Sequence, residues 1–172
     1  VAGDTADAVM AAGWAALPGA VARAEALERA RGSASFRSLA LAFKRVRNIT
    51  EGQPEAAVDA ALFAHAEERE LAEATEAFGT RLAALLPERR VAEAFAAMEP
   101  LADVLERFFV AVLVMCEDGR VRSNRIALLK NLGRHFMQLA DLSRLQVEGG
   151  EQGARRSSCP RSAAGPPTEP RR

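Results

Sequence analysis

The 172-residue chain has no tyrosine, a single tryptophan and only two cysteines, and its 23 basic side chains are cancelled by 23 acidic ones. Each scarcity excludes something. With aromatics rare, and valine and isoleucine modest beside alanine, leucine, glutamate and arginine, a sheet is disfavoured and an all-α fold is expected. Cys116 and Cys159 are too few for a disulfide framework and point to a reducing compartment, the cytoplasm. Zero net charge removes any overall pull toward nucleic acid. No stretch approaches the roughly 18 apolar residues that would cross a bilayer. The first residues carry Asp4 and Asp7 where a secretory leader would be basic.

Residues that do chemistry are just as sparse. There is no glycine-rich phosphate loop and no Cys-x-x-Cys pair, and His65 and His135 are too far apart for a metal-ligand spacing. Both histidines read as surface or packing residues. Glu67, Glu68 and Glu70 read as a solvated helix face and not as paired catalytic carboxylates. Cys116 follows an apolar run without a histidine partner and reads as buried packing, while Trp14, Phe108 and Phe109 read as core. The chain by itself is therefore expected to be non-catalytic and to bind no metal or cofactor.

What the sequence does contain is helical periodicity. Asp4 caps a helix running to about Trp14, Pro18 and Gly19 interrupt it, and a second helix runs from about Ala20 to Arg31, with Gly32 as its stop. Phe36, Leu39, Phe43 and Val46 share one face of a third helix that turns Arg37, Lys44 and Asn48 outward. Pro54 suits the first turn of a helix over about Glu55 to Phe63. Another helix covers about Ala66 to Leu86, with Leu71, Thr75, Phe78, Leu82 and Leu85 inward, and a shorter one about Glu88 to Met98. Pro100 opens an apolar helix to Met115, and the last helix runs from about Val121 to Leu145. A bundle of about six to seven helices over residues 1–146 is expected. Residues 147–172, rich in Gly, Ser, Pro and Arg, bury too little to offset ordering entropy and are expected to be a disordered tail. The chain starts without methionine and in mid-pattern, so it reads as a fragment of a longer protein.

Charge is segregated along this bundle. Arg37, Lys44, Arg45 and Arg47 stand without an acid in residues 36–48, as do Arg120, Arg122, Arg125, Lys130 and Arg134 in residues 119–135. Between them, residues 51–80 set eight acids, from Glu51 to Glu76, against Arg69. Basic side chains on one helical face neutralise RNA phosphates, and arginine also stacks on or forks to a base. Composition alone leaves two function classes open: an RNA-binding module, and a helical protein-interaction or scaffold domain whose charged faces meet another protein.

Three motifs narrow that choice. Ser35-Phe-Arg-Ser-Leu-Ala-Leu-Ala-Phe-Lys-Arg-Val-Arg-Asn-Ile49 resembles the segment of bacterial glycyl-tRNA synthetase beta chains ending in Ala-Phe-Lys-Arg-Val-x-Asn-Ile. Arg107-Phe-Phe-Val-Ala-Val-Leu-Val-Met-Cys-Glu-Asp-Gly-Arg-Val-Arg-Ser-Asn-Arg-Ile-Ala-Leu-Leu129 resembles that family's Phe-Phe-Asp-x-Val-Met-Val-Met-x-Asp followed by Arg-x-Asn-Arg-Leu-Ala-Leu-Leu. Leu139-Ala-Asp-Leu-Ser-Arg-Leu145 is similar to its closing Ala-Asp-Leu-Ser-x-Leu. The resemblance covers about Asp4 to Gln146, with Val110 in place of the family aspartate and a continuation past Gln146 where the family stops. Arginyl-tRNA synthetases, which share the fold, lack the first motif and match less well.

The resemblance implies the carboxy-terminal, DALR-type helical anticodon-binding domain. It further implies an assembly of two alpha and two beta chains in which the alpha chain activates glycine with ATP and magnesium while the beta chain supplies tRNA binding. The partner of this domain would be the anticodon stem-loop of tRNA-Gly. The anticodons of glycine tRNAs end in two cytosines, so a reader would need basic donors and an acceptor, and the sequence does not name the acceptor. The RNA contacts expected from the motifs are Lys44, Arg45, Arg47 and Asn48 in the first, and Arg122, Asn124, Arg125 and Lys130 in the second. Asn48 and Asn124 also suit a helix cap or turn closure, and Arg125 an internal pair with an acid such as Asp118.

Overall fold

A computed structural model describes residues 2–12 and 17–146 and is all-helical over them. The expectations for Trp14, for Cys159 and for the tail after Gln146 lie outside the described residues. The helices are α1 (Gly3–Ala11), α2 (Leu17–Ala30), α3 (Ala34–Thr50), α4 (Ala66–Leu85), α5 (Val91–Ala96), α6 (Leu101–Ala111) and α7 (Gly119–Met137). Short 3-10 turns occupy Ala60–Leu62 and Leu142–Arg144.

Helices α3, α4, α6 and α7 form the centre: α3 and α4 each pack on both α6 and α7. The three-four-three spacing on α3 does as the sequence suggests, with Phe36, Leu39, Phe43 and Val46 all buried. Phe136 of α7 links the core, its ring centroid 5.0 Å from Phe43 and 5.7 Å from Phe78. At Gly79 the chains come so close that a Cβ would lie 2.5 Å from the His135 ring, which also packs edge-on to Phe78. A larger residue there would push α4 from α7. Burial holds the His135 imidazole below its usual pKa, with Arg134 adding to the shift. Helix α2 packs on α5, and α1 on α2 and on the turn at 142–144, which also lies against α3. Asp4 closes this side, bonded to Arg31 Nη1 at 3.0 Å and to the Gln146 amide at 2.8 Å.

Several boundaries differ from the sequence expectation: α2 begins at Leu17, so Pro18 and Gly19 lie in its first turn and do not precede it, Asp4 lies inside α1 and not at its cap, and α5 covers only Val91–Ala96. Three more differ for a tertiary reason. Residues 53–59 are irregular and not helical, although Ala56, Ala57 and Ala60 favour helix. The backbone of this segment is spent on α7: Asn124 accepts from the Asp59 amide at 2.7 Å and donates to the Asp59 carbonyl at 3.0 Å. Gly52, at φ +68°, makes the turn that sends the chain there, in the left-handed region that favours glycine. Helix α6 stops at Ala111, and Val112 is extended at φ −114°, ψ 115°. The chain from Val112 to Asp118 is thus a connector, and not helix to Met115. Helix α7 ends at Met137; beyond it the Asp141 amide donates to the Ala8 carbonyl at 2.8 Å, and Asp141 caps the last 3-10 turn.

Candidate nucleic-acid interface

Helix α3 is started by Ser33, whose hydroxyl accepts from the Phe36 amide at 3.1 Å. Burying its apolar face leaves the opposite side outward: Arg37, Leu41, Arg45, Arg47 and Asn48 are exposed and Lys44 partly so. Among the described residues, Arg37, Lys44 and Asn48 make no ion pair and no side-chain hydrogen bond. Arg47 lies 3.9 Å from the buried Asp141 carboxylate with about half its side chain in solvent. Lys44, Arg47 and Asn48 share an open depression of about 360 Å³ with Glu51 and Ser143. Cationic donors and acceptors therefore stand side by side, the combination that reading the edge of a single-stranded base requires. Glu51 and Ser143 were not marked by the sequence; only the packing of the last turn against α3 brings Ser143 there.

The second basic motif is used differently. Arg125 is buried, its Nε 2.8 Å from Glu68 Oε1, with side-chain exposures of 5 % and 1 %. Its Nη1 donates to the Leu113 carbonyl at 2.9 Å. Glu68 also accepts from the amides of Ala64 and His65 at 2.8 Å, closing the start of α4. Burial by itself would raise the Glu68 pKa, but the Arg125 bond and the two amides outweigh it and hold the carboxyl below its ordinary range. The same pair raises Arg125 further, so both stay charged.

Two expectations change here. Glu68 is not part of a solvated face, and the acid paired with Arg125 is Glu68, not Asp118. Asp118 instead caps α7, accepting from the Arg120 and Val121 amides, which lower its pKa.

The other members of the motif are spent alike. Arg122 Nη1 donates to the Cys116 carbonyl at 2.7 Å, Asn124 is buried against Asp59, and Lys130 donates to the Gln53 carbonyl and to Glu55 at 2.8 Å. The Lys130 hydrogen bond keeps the Glu55 carboxyl below its usual range. Segments 53–59 and 112–118 carry irregular backbone whose polar groups need partners, and α7 supplies them. Arg122, Asn124, Arg125 and Lys130 are staples for two loops.

The connector has its own character. Val112 and Val114 are buried, while Leu113 and Met115 are 71 % and 56 % exposed, on a connector that leaves the helix at Val112 and turns at Val114 and Met115. An unbroken apolar run conceals this in the sequence. Val110 is 84 % exposed, so an aspartate at this position would stand in solvent. Phe108 is buried as expected, but Phe109 is only partly so, with the Arg45 guanidinium 4.1 Å above its ring centroid. Cys116 is also partly exposed and donates to the Asp118 carbonyl, so it is not a core residue.

Residues 39–143, from the middle of α3 to the last turn, match the DALR anticodon binding domain. The chain belongs to that family. It is also similar to glycine–tRNA ligase beta subunits. The one from Geobacter metallireducens is 39% identical over 144 residues, 84% of this chain and 21% of that protein. The one from Anaeromyxobacter sp. (strain K) is 39% identical over 152 residues, 87% of this chain and 22% of its own. The Syntrophus aciditrophicus protein is 33% identical over 145 residues, 84% and 21% of the two chains. The chain spans about a fifth of the length of the curated relatives it matches. The matched DALR region contains α3 from Leu39 onward, the connector and the whole of α7. Among the described residues no helix is long and apolar enough to cross a membrane, and no group of three or more His, Cys, Asp or Glu side chains converges to hold a metal ion.

Proposed function

We propose that this chain holds the anticodon stem-loop of tRNA-Gly as the anticodon-binding domain of a glycyl-tRNA synthetase beta chain. The observation that carries the reading is the outer face of α3, where Arg37, Lys44 and Asn48 have no side-chain partner among the described residues and Arg47 is half in solvent. Holding these cations on one rigid helix in a protein of zero net charge makes a local field for phosphates. Glu51 and the Asn48 amide are acceptors beside the donors, suited to the amino group of a cytosine. Family membership and the likeness to glycine–tRNA ligase beta subunits support the choice of RNA.

In this reading the domain acts on the reaction indirectly. It fixes one end of the tRNA while an alpha chain, in a cytoplasmic assembly of two alpha and two beta chains, activates glycine with ATP and magnesium. The chain binds no cofactor itself, and purified alone it is expected to show no glycine-dependent exchange between ATP and pyrophosphate. The deciding experiment is titration of the chain with the glycine anticodon stem-loop at two salt concentrations. Affinity should fall steeply with salt, because neutralised phosphates release counterions. Absence of binding at low salt would leave the protein-interaction class instead.

A further inference from the structure

We infer that the groove between α3 and the connector is a stacking site for one unpaired RNA base, taken on the outer side of the Arg45 guanidinium. The inference rests on the anticodon-loop reading of α3 and assigns the groove beside that face. The groove, about 300 Å³, is lined by Arg45, Ile49, Phe109 and residues 110–115. Among the described residues its lining contains no carboxylate, and its only charge is Arg45.

Three observations define its occupant. First, the Arg45 guanidinium lies 4.1 Å over the Phe109 ring, and Arg45 is an exposed residue. A guanidinium held over an aromatic ring presents a flat cationic surface, and unstacked bases in RNA loops stack on such planes. Second, Leu113 and Met115 stand in solvent beside it at 71 % and 56 % exposure, providing apolar walls that water alone does not favour. Third, the connector is not loose. Arg125 holds the Leu113 carbonyl at 2.9 Å and Arg122 the Cys116 carbonyl at 2.7 Å. The walls are set before any ligand arrives, so little ordering entropy opposes binding.

Charge complementarity selects nucleic acid over an apolar protein segment. Arg45 belongs to the same outward face as Lys44 and Asn48, so a strand whose phosphates lie on Lys44 and Arg47 would bring a neighbouring base to this groove. A base needs no particular hydrogen bonds there, so the site would contribute affinity and hold the loop open, while the polar depression on the other flank of α3 reads edges.

The test uses the full chain and the tRNA-Gly anticodon stem-loop, with each loop position in turn carrying a fluorescent purine analogue or an abasic sugar. One position should change its fluorescence on binding, and making that position abasic should weaken binding on the order of tenfold or more. Arg45→Lys keeps the charge but loses the plane. It should reproduce that loss with the intact loop, leave the salt slope unchanged, and have no further effect on the abasic loop. Leu113→Ser, at an exposed site that cannot unfold the core, should act in the same direction with a smaller loss. If every abasic loop binds as tightly as the intact one while Lys44→Glu still weakens binding, the stacking site is overturned, the α3 reading stands, and the groove is left to a protein contact. If no loop binds the unaltered chain, both readings fall together.

Discussion

Helices α3 and α7 carry the two acid-free basic clusters of the chain, and they spend them in opposite directions. On α3 the apolar stripe is continuous and faces the core, so Arg37, Lys44 and Asn48 have nowhere to go but out, while Arg47 at its edge is half exposed beside Asp141. Helix α7 lies at the centre, against α3, α4 and the loop before α4, and residues 124–129 are all buried. Arg122, Arg125 and Lys130 reach backbone carbonyls, Glu68 and Glu55, while Arg120 and Arg134 stay exposed. A dense basic segment therefore indicates an interface only where the helix has a free side. Where the helix is surrounded, the same residues satisfy the irregular chain around it.

The most severe way to break this contrast is Arg125→Ala. It strands Glu68 in the core and removes the donor to Leu113, so stability should fall by about 3 to 5 kcal/mol, as for other broken buried pairs. Urea denaturation would show it; a loss under about 1 kcal/mol would mean that the pair behaves as a surface ion pair and that the inward reading of α7 is wrong.

Lys44→Glu tests the outward helix. The urea midpoint should hardly move, since Lys44 has no partner among the described residues. Affinity for the anticodon stem-loop should fall about tenfold or more, one charge-assisted contact contributing about 1.5 to 3 kcal/mol, and the salt slope should become shallower by about one. An unchanged affinity would move the interface off α3.

Arg122→Gln sharpens the boundary between the two behaviours, because Arg122 is partly exposed yet bonded to the Cys116 carbonyl. A stability loss of about 1 kcal/mol is expected. The salt slope of RNA binding should stay as it is; a shallower one would return Arg122 to the phosphate contacts.

The smallest effect near neutrality is that of pH. The His135 pKa is lowered in the fold, so its contribution is complete above the unfolded value of about 6.5 and declines as pH falls through the folded one. Glu68 is also lowered. What it adds is complete above about pH 4.3 and is lost only as pH drops further. Thermal midpoints should thus slip slightly below about pH 6.5 and steeply below about pH 4. The cations on the outer face of α3 are all lysine and arginine, and RNA affinity should hold until the fold fails. Affinity that falls while the fold persists would show a titrating group in the interface.

Local pattern alone determined much of this protein. The helical class, the inward face of α3 and the family motifs are visible because periodicity of side chains along one helix needs no knowledge of its neighbours. The outward placement of Arg37, Lys44 and Asn48 follows from the same period. Only the tertiary structure decided the rest. Whether Ala56 to Asp59 coil into helix depended on Asn124, 65 positions beyond Asp59 in the chain. Whether Leu113 and Met115 are core or surface depended on where α6 stops. Whether Arg125 meets RNA or Glu68 depended on α4 packing beside α7. Long-range hydrogen bonds outweigh the few tenths of a kcal/mol per residue by which propensity separates helix from loop. The direction in which a basic side chain points is settled by what surrounds its helix.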